Sequence, residues 1–221
     1  MRDAATSNRE RLDSARLDSV RPDSVQLEGG PSDAPGPLGD ATARDVSTMS
    51  DAAGPVTYTA NVAACTAPLA PSTSDCATGT GTGKMTVDLD DGGVEYHSYV
   101  SFILVGWPAA RTPTSVKLRL HTGNTGGAKS NQTGEVYLVE AFTFESLSTG
   151  VPATIGDAVG QDKGAVVPDQ VVEWILTLPP GIVGPGKVLY LGILPVTDNA
   201  ANYWNADAEN DPNVRPRLVI E

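Results

Sequence analysis

Aromatic residues are scarce in this 221-residue chain, at 5% of the total, and their placement is uneven. All twelve Phe, Trp and Tyr lie at or after Tyr58, so residues 1–55 contain no ring. A segment of that kind buries too little apolar surface to offset the entropy of ordering it. A disordered N-terminal tail over 1–55 and a folded domain over 56–221 are the expected division. No run of 18 apolar residues exists, and the longest candidate, Val100–Trp107, has the length of a strand, so membrane insertion is not expected. An apolar core is also missing from "MRDAATSNRERLDSARLDSV", so the N-terminus does not read as an export signal. Cationic excess is absent too. Net charge is −12, and acids outnumber Lys and Arg in both parts of the chain, ten to six in 1–55 and seventeen to nine in 56–221. Acidic surfaces repel phosphate backbones, which makes nucleic acid an unexpected partner.

Cysteine and histidine are equally sparse, with two of each. Cys65 and Cys76 flank a short Pro-containing loop, and even parity suits a disulfide stapling the lead-in to the first strand. Free structural thiols are the alternative. No set of four Cys or His stands close enough in sequence for a zinc site. His97 and His121 fall in two different strands, where solvent-facing positions are expected. A disulfide implies an oxidising compartment, and hence an extracellular or cell-surface location, although no export signal is visible in the chain.

What the first third does contain is repetition. Residues 11–25 read RLDSA RLDSV RPDSV, three copies of a five-residue unit that matches neither the helical nor the heptad period. From Gly29 to Gly54 the composition is that of a Pro/Gly/Ala/Ser/Asp linker.

The remainder alternates with period two. In "KMTVDLDD", Met85, Val87 and Leu89 are assigned to one face, and Thr86, Asp88 and Asp90 to the other. "SVKLRLH" places Val116, Leu118 and Leu120 inward and Lys117, Arg119 and His121 outward. "VVEWILTL" aligns Val172, Trp174, Leu176 and Leu178, and "RPRLVIE" buries Leu218 and Ile220. "HSYVSFILV" and "KVLYLGILPV" are apolar on both faces. Clusters such as DDGG, GNTGG and LPPGIVGPG separate these runs. The pattern predicts an all-β fold, an antiparallel β-sandwich of jelly-roll-like type.

The order of the strand motifs resembles the DNRLRE domain family, grouped with carbohydrate-binding module family 96, over about 84–221. The counterparts are Met85-Thr86-Val87, Ser98–Leu104, Ser115–Leu120, Val136–Val139, Glu145–Gly156, Val172–Thr177, Val188–Leu194, Tyr203-Trp204 and Arg215–Ile220. Several polar positions of that family are replaced: its Arg and Asp after the "SYL" fall on Ser101 and Ile103, and its basic residue and Glu after the aromatic pair fall on Ala206 and Asp207. The resemblance implies a β-sandwich, extracellular placement and reversible polysaccharide binding without catalysis.

Candidate site residues cluster near the end of the chain. Tyr203 and Trp204 are candidates for stacking on a sugar ring, with Asn202, Asn205 and Asp207 bonding its hydroxyls. Alternation buries one of two adjacent rings. Trp107 and Trp174 are expected in the core. Asp88, Asp90 and Asp91 open like a calcium loop, but the twelfth position is Tyr99, so no EF-hand is formed; a structural Ca²⁺ of another kind and a solvated turn are the two readings. Asn131-Gln132-Thr133 matches a glycosylation sequon. Neither G-x-S-x-G nor H-E-x-x-H occurs. Three functions follow in order of preference: a tethered, non-catalytic carbohydrate-binding module, monomeric or part of a larger surface assembly; a structural or adhesive surface domain; and a polysaccharide lyase or glycosidase.

Overall fold

A computed structural model describes residues 54–69, 84–89, 94–205 and 211–221. All described elements belong to the unit Ser50–Glu221. Eleven strands appear among the described residues: β1 (Val56–Thr59), β2 (Val62–Thr66), β3 (Lys84–Leu89), β4 (Glu95–Ile103), β5 (Val116–His121), β6 (Glu135–Val139), β7 (Thr154–Gly160), β8 (Val171–Ile175), β9 (Val188–Leu194), β10 (Ala201–Trp204) and β11 (Arg217–Ile220). One short helix, α1 (Phe144–Leu147), precedes β7. Every pairing is antiparallel.

The strands form two sheets. One has the order β1-β11-β5-β8, the other β10-β3-β4-β9-β6-β7 with β2 alongside β4. The fold is therefore the all-β sandwich that the alternation predicts. Neighbours such as β1 and β11, or β4 and β9, are far apart in the chain, as in jelly-roll-like arrangements.

Side-chain alternation fills the space between the sheets. Leu118, Trp174 and Leu218 come from the smaller sheet, and Met85, Val100, Phe102, Leu191 and Tyr203 from the larger, all essentially without solvent contact. In β5 the pattern holds residue by residue, with Val116, Leu118 and Leu120 buried and Arg119 exposed. Leu89 departs from its expected partners. It follows Met85 and Val87 on the strand but, as the last residue of β3, stands 44% exposed.

Strand β4 is covered on both faces, as its continuous apolar sequence predicts. On its outer side Tyr99 packs with Ala64, Val139, Phe142 and Leu147 in a second small core. Leu147 is delivered by α1, whose start is fixed by a reciprocal cap: Thr143 Oγ1 accepts from Ser146 N–H and Ser146 Oγ accepts from Thr143 N–H. The Tyr99 and Phe142 rings meet edge to face at 5.6 Å. His97, expected at the surface, is buried here. Its Nε2 lies 2.5 Å from Glu95 Oε1 and its Nδ1 3.2 Å from the Tyr99 hydroxyl. The cause is β2, which pairs with this half of β4, placing Thr66 opposite His97.

Gly192 sets how closely this second core can form. It is paired with Tyr99 on one side and Tyr137 on the other. A methyl group there would stand 2.9 Å from Val139 Cγ1 and 3.2 Å from Tyr99 Cε1. Gly192→Val is therefore expected to destabilise the domain by about 1–3 kcal/mol, the usual cost of overpacking. Urea unfolding followed by Trp fluorescence measures it, and an unchanged midpoint would show that the strand shifts to make room.

Candidate functional site

The end of the sandwich where β5 and β10 meet is built around Thr122. Its backbone bridges to Tyr203, so beyond β5 the chain crosses from one sheet to the edge of the other. The Thr122 hydroxyl donates to Val167 O at 2.8 Å and accepts from Gln170 N–H at 2.8 Å. This ties the loop before β8 to the same corner. Asp169 in that loop adopts a left-handed φ of 61°, which Asp tolerates better than most residues, and its N–H donates to Gly123 O.

Tyr203 points inward. It has no solvent exposure, its hydroxyl donates to Thr133 O at 2.9 Å, and its ring meets Trp174 edge to face at 6.1 Å. Burial, together with the nearby Asp162 carboxylate, holds its pKa well above the ordinary phenol value. Asn202 is buried as well, at 3% exposure. Its Oδ1 accepts from the Thr86 hydroxyl and its Nδ2 donates to Gly127 O, because the turn at Gly126–Ala128 folds over this strand. Both were expected to contact a ligand. Neither can, since all their polar atoms serve the fold.

Trp204 is different. Among the described tryptophans it alone is not fully buried; Trp107 and Trp174 are core residues, as expected. Lys84, its partner across the β3–β10 pair, places Nζ 5.0 Å from the indole centroid and 3.4 Å from Thr125 Oγ1. Lys84 is itself only 6% exposed, and burial lowers its pKa. Gly123 makes room for it: a β-carbon there would lie 3.1 Å from Lys84 Cε. Alternation did not single out Lys84, because it opens its strand and a lysine there reads as solvated. Asn205 is partly buried next to Trp204, and Asp207 lies outside the described residues.

The outer face of the smaller sheet turns this corner into a basic cleft of about 130 Å³. Arg119, His121, Asn213, Arg215 and Arg217 contribute to its wall. His121 Nε2 is 3.8 Å from Asp169 Oδ1, and its Nδ1 is 3.0 Å from Thr122 O. A larger hollow of about 530 Å³ at the opposite end, between Thr112–Val116 and Leu176–Val183, has no ionisable side chain in its wall.

Other expected site residues fall elsewhere. Asp88 is partly buried in β3, while Asp90 and Asp91 lie outside the described residues. Among the described residues, no group of three or more His, Cys, Asp or Glu is arranged to hold a metal. Cys65 is buried in β2, no described cysteine is free, and Cys76 lies outside the described residues. In the sequon, Thr133 is fully buried and its hydroxyl donates to Asp162 Oδ1 at 2.8 Å. No described helix is long and apolar enough to cross a membrane.

No family model and no curated protein matches this chain.

The buried phenols dictate a pH dependence. Burial raises the pKa of both Tyr99 and Tyr203 above the ordinary value near 10, so in unfolded chain they ionise first. The unfolded state then binds fewer protons than the fold. Stability is present in full below about pH 10 and is lost as pH climbs past it. Lys84 acts in the opposite sense, so Tyr203→Phe isolates the phenol. Urea midpoints should fall between about pH 9 and pH 11 and fall less steeply in Tyr203→Phe, which also loses about 1 kcal/mol at neutral pH with the Thr133 hydrogen bond. An identical slope in the two proteins would remove Tyr203 from the effect.

Proposed function

We propose that this chain is a non-catalytic, extracellular carbohydrate-binding module, carried on the tail 1–55, that holds polysaccharide at the Trp204 corner of the sandwich. The observation that carries the reading is the partly exposed Trp204 with Lys84 over its ring, next to Asn205 and ahead of an acidic stretch of sequence. An indole held in one orientation loses little entropy when a saccharide C–H face stacks on it. Lys84 lies over one face, so the sugar takes the other. Asn205 and Asp207 supply hydroxyl partners. A disulfide between Cys65 and Cys76 belongs to the same proposal, since it would fit the oxidising compartment in which such a module works.

The burial of Asn202 and Tyr203 favours one competing reading, a structural or adhesive surface domain that keeps the sandwich and binds no glycan. Affinity electrophoresis against a panel of polysaccharides, with a parallel assay for new reducing ends and unsaturated products, separates the two and also tests for a lyase or glycosidase. Retardation without product is the expected result. Trp204→Ala should weaken retardation roughly threefold to tenfold, the equivalent of a ring contact of about 0.5–1.5 kcal/mol, with little change in Tm. Product formation would replace the reading with an enzymatic one, and absence of any retardation would favour the adhesive domain.

A further inference from the structure

Only four arginines occur after residue 55, in a segment where acids outnumber bases by seventeen to nine. Three of them, Arg119, Arg215 and Arg217, line one cleft. Their placement is not what stability alone favours. Arg119 and Arg217 are directly opposite in the β5–β11 register and therefore share a face, where like charges repel. Arg119 is relieved by Glu173, its partner on the other side, at 2.5 Å. Among the described residues, Arg217 bonds only neutral oxygens, Pro212 O and Asn213 Oδ1, both at 3.1 Å. Arg215 has even less: its Nε is shielded from solvent and has no hydrogen-bond partner among the described residues. Among the described residues, Arg119 is the one member of the three in an ion pair. Among the described residues, the carboxylates near this cleft are Glu173, Asp169, which stands beside His121 and is largely exposed, and Asp211, whose Oδ1 accepts from Asn213 N–H; Glu221 is paired with Lys117.

The geometry points to an oxyanion-binding site in this cleft, formed by Arg119, Arg215 and Arg217 and taking a sulfate or phosphate monoester carried on the bound saccharide. Guanidinium groups match oxyanions as planar, permanently charged donors. A carboxylate presents its two oxygens in a single plane, whereas converging donors suit a tetrahedral group. A monoester offers three terminal oxygens, one toward each arginine. The added anion also cancels the repulsion between Arg119 and Arg217 and relieves the unpaired charge of Arg215. Continuity with the Trp204 corner comes from the backbone: Thr122 bridges Tyr203, and one residue further along the two antiparallel chains stand His121, in the cleft wall, and Trp204. A ring stacked on the indole can thus direct a substituent toward the arginines. This inference rests on the glycan reading for its ligand, but the oxyanion site itself can be measured without any sugar.

The first measurement uses the full chain and inorganic sulfate or phosphate against chloride at matched ionic strength, following the arginine side-chain N–H signals by NMR. Saturable shifts at Arg215 and Arg217 are expected, and their loss in Arg215→Gln. Lys163→Gln, which removes one positive charge away from the cleft, should leave them in place. Arg215 makes no hydrogen bond through Nε, so its replacement should not lower Tm in chloride. Signals that fail to saturate, or that respond equally in Arg215→Gln, overturn the site. The second measurement compares a sulfated oligosaccharide, a phosphorylated one and their unesterified parent. One ester should bind about tenfold or more tighter than the parent, and the better of the two identifies the substituent; Arg215→Gln should erase that advantage. If the parent binds as well as both esters, the ester assignment fails while the Trp204 reading stands. If inorganic sulfate binds at the arginines and no saccharide binds anywhere, the glycan reading fails and takes the ester assignment with it.

Discussion

Tyr203 connects the two sheets more completely than any other side chain near the candidate site. Its backbone bridges Thr122 at the end of the smaller sheet, its ring packs against Trp174 inside that sheet, and its hydroxyl closes on Thr133 in the loop leading into β6 of the larger. Thr133 in turn is held by Asp162, whose Oδ1 accepts from Thr133 N–H, its hydroxyl and Gly134 N–H. A carboxylate already accepting three hydrogen bonds fixes the loop that presents the Thr133 carbonyl. The phenol therefore finds a rigid acceptor, and the edge strand β10 cannot slide without breaking an aromatic contact and a buried hydrogen bond together. The position of Trp204, one residue later, inherits that rigidity.

Periodicity was sufficient to find the sandwich, because a half-buried strand must alternate and these strands do. It placed Leu118, Trp174 and Leu218 in one core correctly. It was weaker for strands that do not alternate. β1 and β2 precede the clear pattern, and β7 begins with four exposed residues and contains two glycines, so its sequence resembles a turn. Those strands exist through cross-strand partners distant in the chain, such as the β1–β11 pairing of Tyr58 with Leu218. A single segment carries no information about such a partner.

The candidate site was legible only in part, for a related reason. Alternation correctly implies that one of Tyr203 and Trp204 is buried. It does not say which, because the inward direction depends on register, here fixed by Tyr203 opposite Met85. Asn202 shares the other face with Trp204, and a reading by strand period alone leaves both open to solvent. What buries Asn202 is a turn from another part of the chain, folded over β10 and bonded at Gly127. His97 is hidden by a different neighbour, β2, which pairs alongside it, and by its contacts to Glu95 and Tyr99. Polar residues on outer faces are thus the positions where local sequence fails most often in this fold, since their exposure is decided by what else lies over the sheet.

The charge pattern follows the same logic in reverse. A net charge of −12 is an average over the chain and does not describe a corner where three arginines converge. Long-range repulsion between an acidic protein and an anionic ligand is weakened by salt over about 8–10 Å, whereas contacts at hydrogen-bond distance inside a cleft are screened far less. Local donors therefore decide whether an anion stays, and the overall charge affects mainly how fast it arrives. The unpaired Nε of Arg215 gives this weight. Leaving a shielded donor unsatisfied costs about 1–3 kcal/mol, comparable with a sizeable share of a domain's total stability. Leucine at that position would avoid the cost within the same strand lead-in. An arginine there, opposed by two others, is better explained by what it meets in the cleft than by what it adds to the fold.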